Sequence, residues 1–134
     1  MFETFLVPEK TAVTTKGDGP LVDISVAQNR VFLLQFDITG VVEQESLDLS
    51  IFGGADEAGL GKTALMSFPQ SFYRGQQTVL LDLRERPDVK VLRAHWEVNR
   101  WGRGPETAWF ELCLKATEVA PELLRERDQR LARA

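Results

Sequence analysis

The sequence predicts an all-β fold, a two-sheet antiparallel β-sandwich of jelly-roll type followed by a short C-terminal α-helix. Three observations carry that reading. Apolar and polar residues alternate with period two from residue 21 to residue 117, the mark of strands with one buried face. The alternating runs are punctuated by turn chemistry at Gly17-Asp18-Gly19-Pro20, Gly53-Gly54, Arg74-Gly75, Pro87-Asp88 and Gly102-Arg103-Gly104-Pro105. No helical pattern interrupts them before Pro121, so the crossovers of a parallel sheet are missing and a sandwich is the natural architecture.

Taken in order, residues 1–10 form an N-terminal arm with Phe2, Phe5, Leu6 and Val7, broken by Pro8. Such a segment is either an exposed apolar contact surface or a first edge strand tucked onto its own sheet. The sandwich proper is expected over residues 11–119. Thr11 to Thr15 fit an edge strand. Val22, Ile24 and Val26 share a face, as do Phe32, Leu34, Phe36 and Ile38. Leu47, Leu49 and Ile51 point inward, a weaker strand fits residues 62–68, and Val79, Leu81 and Leu83 follow. Leu92, Ala94, Trp96 and Val98 oppose Arg93, His95 and Glu97, and Phe110, Leu112, Leu114 and Ala116 oppose Glu111, Cys113 and Lys115. Residues 120–134 are expected to be a helical extension: Pro121 and Glu122 suit a first turn and the arginines a last one. Leu123, Leu124 and Leu131 make a narrow apolar stripe that suits a helix lying on this sandwich or on a neighbouring subunit; left uncovered, it frays in solution.

The chain has 134 residues, 43% apolar and 27% charged, which fits one globular domain. A net charge of −4 disfavours a protein whose whole surface grips nucleic acid. One cysteine excludes an internal disulfide, and one histidine leaves too few soft ligands for a His/Cys metal cluster. The first residues lack a basic region and a small-residue cleavage site, and no apolar run approaches the roughly 18 residues of a membrane span. An intracellular location, cytoplasmic by default, or release without a signal peptide is therefore expected, without membrane contact.

Residues 53–63 contain Gly61-Lys62-Thr63, but Asp56 stands where a phosphate-cradling loop needs its first glycine, and a strand pattern follows. Asp56 and Glu57 are too few for a calcium loop. His95 has no nucleophile or orienting partner in sequence, and Cys113 lies between the opposed influences of Glu111 and Lys115. The expectation is a non-enzymatic protein with no catalytic residues, cofactor or metal. Contact residues are easier to nominate. Arg100, Trp101 and Arg103 place an indole between guanidinium groups, Tyr73 and Arg74 follow Phe72, and Trp109 opens the last strand on its polar parity. Exposed Trp, Tyr and Arg anchor protein interfaces, stack on sugars, or contact single-stranded nucleic acid; alternatively Trp101 caps the core. With Phe2, Phe5, Leu124 and Leu131 these complete the candidate partner-binding set.

The succession LLQFDIT, LDLSIFGG, SFPQSF, TVLLDL, VKVLRAHWEV and AWFELCLKAT, with a Gly/Pro turn before the last, resembles small β-sandwich structural proteins of tailed bacteriophages and prophages. The similarity spans roughly residues 21–118. It implies a virion or tail component held by subunit contacts, without catalysis. The acidic 53–61 loop and the charged helix after Pro121 depart from that pattern. The functional expectation is a structural subunit assembling with its own copies or other structural subunits. The alternative is a carbohydrate-binding module stacking sugars on Trp101, Trp109 and Tyr73.

Overall fold

The structure, a computed structural model, describes residues 2–41, 45–61, 64–100 and 109–133. Its strands are β1 (Glu3–Val13), β2 (Gly17–Asp18), β3 (Val22–Asp23), β4 (Val31–Val41), β5 (Glu45–Gly54), β6 (Met66–Ser67), β7 (Gly75–Asp82), β8 (Val91–Arg100) and β9 (Phe110–Glu118). One helix, α1 (Pro121–Arg133), ends the chain, and a single 3-10 turn spans Ala58–Leu60. All strand pairs are antiparallel. One sheet runs β1-β9-β4-β7; the other runs β2-β8-β5-β6, with β3 also on β8. Counting β2 and β3 as two halves of one interrupted edge strand gives eight strands in two sheets with first and last strands paired, which is a jelly roll.

The alternation read from sequence is what builds the core. Phe32, Leu34, Phe36 and Ile38 of β4 face Leu47, Leu49 and Ile51 of β5 across the sandwich, with Leu92, Ala94 and Trp96 of β8 and Phe110, Leu112, Leu114 and Ala116 of β9 completing it. Phe36 and Phe68 meet edge-on at 5.1 Å.

Three expectations need correction. The strand expected from residue 21 to 27 is reduced to Val22–Asp23. Pro20 removes a ladder donor before it, and after it Asp23 accepts from the Ser25 N–H (2.8 Å) while Ala27 N–H donates to Ile24 (3.0 Å), closing a turn. Val26 consequently sits 73% exposed. The boundary placed after residue 10 falls inside β1, whose Leu6 and Val7 are fully buried. Leu6 and Val7 are thus core, and the edge strand expected from Thr11 is the end of the same strand. Last, among the described side chains of α1 none is buried. The helix touches the sandwich through Arg84, whose guanidinium reaches Asp128 (3.2 Å).

The register sorts the loops into two ends. The 14–16 and 68–74 connections lie at one end, with the last residues of β4 and β8 and the first of β5 and β9, because Ile38 pairs with Gly75, Val41 with Phe110, Glu45 with Arg100 and Gly17 with Trp96. The opposite end holds the 24–30, 55–61 and 83–90 segments, the start of β1 and α1. Here Arg30, at φ 58°, donates to the carbonyls of Leu83 (3.3 Å), Arg86 (2.6 Å) and Val89 (2.7 Å). The buried Glu118 carboxylate accepts from Gln28 N–H (3.1 Å) and the Asn29 amide (3.2 Å). This end is laced by polar bonds; the other is where the aromatic turn projects.

Candidate assembly surface

The candidate contact residues divide between these ends. At the loop end, the bend between β6 and β7 leaves Tyr73 79% exposed beside Phe72, at 6.3 Å and a tilt of 49°. Arg74 is exposed next to it. The bend survives because the Leu47 and Ser71 backbones bond each other (2.8 and 2.9 Å) and Gln77 donates to the Ser71 hydroxyl (2.9 Å). A cleft of about 250 Å³ opens under it, floored by Phe36 and Ile38 and walled by Phe72 and Tyr73. Arg100 ends β8 at the same end, opposite Glu45; Trp101 and Arg103 lie outside the described residues.

Trp109 belongs to this end too, but as a packed residue. Its N–H donates to the buried Glu45 carboxylate (2.7 Å), and its indole lies over Gly40. A β-carbon at position 40 would stand 2.5 Å from Trp109 Cη2 and 2.7 Å from Cζ3. Gly40 sits where the β4–β9 register shifts, so glycine there admits the ring. Gly40→Ala is expected to displace the indole, cost about 1–3 kcal/mol and shift the tryptophan emission; an unchanged spectrum and melting point would contradict this packing. The Trp109 indole is thus half-buried, with one side packed on β4.

At the other end, Phe2 is half-buried, edge-on to Phe32 at 6.0 Å, and its carbonyl accepts from Glu118 N–H (2.8 Å). Phe5 is half-buried on the outer face of β1, opposite Lys115, which pairs with Glu3 (3.0 Å). Leu131 is 59% and Leu123 58% exposed on α1; the Leu124 side chain is not described. Glu126 and Arg130 pair along the helix at 3.7 Å, as their spacing predicts.

The outer face of the β2-β8-β5-β6 sheet holds an arrangement that local sequence patterns do not reveal. A shallow hollow of about 430 Å³ is lined by Asp18, Phe52, Leu60, Arg93 and His95. Asp18 Oδ1 lies 2.9 Å from His95 Nδ1, Glu97 lies 3.7 Å from Nε2, and Phe52 meets the imidazole edge-on at 6.0 Å. Arg93 reaches Glu57 at 3.4 Å. Ser50 stands opposite His95 in the register, but its hydroxyl is shared with Ser67 (3.0 Å). The row Asp18-His95-Ser50 therefore lacks the base-to-nucleophile hydrogen bond that a hydrolytic relay requires. Cys113 is no nucleophile either. Burial first, and then the Asp37 carboxylate 3.8 Å away, push its thiol above the ordinary range. Asp37 comes from β4, so the sequence neighbours Glu111 and Lys115 were the wrong ones to weigh.

No family model matches the sequence, and no curated protein does. The fold has solved counterparts. The chain superposes on VP2 in the subviral particle of infectious bursal disease virus with TM-score 0.55 and 7% identity, over 86% of this chain and 31% of that one. The Gx strain of the same virus gives TM-score 0.55 and 6% identity, over 90% of this chain and 33% of that one. The class the fold defines is thus the jelly-roll sandwich found in viral structural proteins. At such identity the likeness is one of fold, and the chain spans about a third of the length of these counterparts. Among the described residues no helix is long and apolar enough to cross a membrane.

Proposed function

We propose that the protein is a non-enzymatic structural subunit of a larger assembly, a virion component of phage type, working through subunit contacts. The observation that carries this reading is the jelly roll matched over nearly the whole chain by a protein that forms a subviral particle. The strand motifs that resemble phage structural proteins support its finer part. In this reading the sandwich is the scaffold, and two surfaces meet neighbours: the Tyr73-Arg74 bend at one end and α1, with the exposed Leu131, at the other.

Light scattering across a range of concentrations tests it. The full chain is expected to reach a multi-subunit mass; a strict monomer would overturn self-assembly. Deleting residues 121–134 is expected to lower that mass and leave the melting temperature within about 2 °C, since exposed helix side chains contribute little to the domain. A deletion that keeps the full mass removes α1 from the contacts.

A further inference from the structure

A jelly roll has four open sheet edges, and in this one they are not treated alike. An edge strand presents unpaired N–H and C=O groups that invite another strand, and proteins blunt such edges with prolines, bulges, charges or brevity. The β1 edge carries Pro8, Lys10 at φ 58° and register shifts at Phe5/Val7 and Val7/Thr11. The β2/β3 edge is two fragments parted by Pro20. The β6 edge is two residues long, with Pro69 just beyond it. The β7 edge has none of these devices. Its eight residues, GQQTVLLD, run against β4 without a register shift and contain no proline or cation. Its single charge, Asp82, is held by Arg84 (Nε to Oδ1 3.0 Å, Nη2 to Oδ2 2.7 Å).

The register also says which backbone groups face outward. Leu83 N–H donates to Arg30, its directly opposed residue (2.8 Å). Val119 N–H donates to Val31 on the other side of β4 (2.9 Å). In an antiparallel ladder the hydrogen-bonded pairs recur at every second residue. Gly75, Gln77, Val79 and Leu81 therefore bond to β4, and Gln76, Thr78, Leu80 and Asp82 aim their N–H and C=O groups away from the sheet.

We propose that this free edge pairs antiparallel with the β7 edge of a second copy about a two-fold axis at Val79. The proposal rests on the assembly reading and names one of its contacts. Placing the axis at Val79 sets Gln76 opposite Asp82 of the second copy and Thr78 opposite its Leu80. That register satisfies every outward group from residue 76 to residue 82 on both chains, and puts an amide beside a carboxylate at each end. A shift by two residues strands Asp82 in one direction and Gln76 in the other. An isologous contact of this kind closes on itself and joins two four-stranded sheets into one of eight.

Two variants of the full chain test it. Thr78→Pro removes an outward donor and places the ring where the second copy would bond, leaving the rungs to β4 intact. It is expected to weaken self-association at least tenfold, measured by sedimentation, with unchanged circular dichroism. Val79→Cys places two cysteines opposite each other in a non-hydrogen-bonded pair, about 4.5 Å apart at Cα, within disulfide reach. Oxidation is expected to give a covalent dimer that the parent, with Cys113 alone, does not form. Retention of the parent mass by Thr78→Pro, or no cross-link in Val79→Cys, overturns the β7 pairing and leaves assembly through other surfaces standing. A parent that is monomeric at every concentration overturns both.

Discussion

Removing residues 1–8 is expected to abolish the cooperative thermal transition of the domain. Leu6 and Val7 are fully buried, and each contributes about 1.5–3 kcal/mol by leaving water. Phe2 adds its contact with Phe32 and the bond from its carbonyl to Glu118 N–H. The sum rivals the whole margin of a small domain, about 5–15 kcal/mol. The deletion also strips β9 of its partner from Leu114 to Thr117, turning that half of a central strand into an open edge. Circular dichroism on heating decides the matter. A truncated chain that melts sharply within a few degrees of the parent would show that the first segment is dispensable. The contrast with α1 is informative: the two termini sit at the same end of the sandwich, yet one is core and the other is displayed.

The second large effect is expected at Arg30. Its guanidinium donates to three backbone carbonyls of the 83–89 segment, and its own carbonyl accepts from Leu83 N–H. That segment has no strand of its own. Hydrogen bonds from a charged donor contribute about 1.5–3 kcal/mol each, less where water reaches the carbonyl. Arg30→Ala is expected to lose about 3 kcal/mol in urea unfolding. Arg30→Gly is expected to lose about 1 kcal/mol less, because glycine accepts the left-handed backbone at φ 58° without strain. Arg30→Lys keeps the charge but cannot fork to three acceptors, and should resemble alanine more than the parent. Alanine and glycine variants both as stable as the parent would refute the clamp.

What could be read from sequence followed the length of the alternation. β4, β5, β8 and β9 each show an unbroken apolar face opposed by polar residues, and they form the middle of both sheets. Edge strands were harder, because an edge needs no continuous apolar face. Pro8 and Lys10 broke the rhythm of β1 and hid that residues 3–13 are one strand. Between residues 21 and 27 the alternation was present, but Pro20 and the Asp23 side chain turned the chain instead. The site divided on similar grounds. Tyr73 stands exposed because a turn after Pro69 and Ser71 carries no apolar periodicity. The packing of Trp109 was not legible, since Gly40 lies on a strand far away in sequence and only the bulge between them makes room for the ring. The Asp18–His95 pair depends on β2 meeting β8, a long-range pairing that no local pattern encodes.

Pairing of the first strand with the last has a consequence for synthesis. β9 lies between β1 and β4, so a growing chain cannot finish that sheet until residue 118 has left the ribosome. Until then β1 has no strand to pair with, and β4 is paired on one flank only, by β7. Non-local closure of this kind is slow and leaves apolar surface open while it waits. A chain stopped short of β9 remains unsealed and open to chaperones and proteases. The fold thereby admits to its finished state only copies translated past β9.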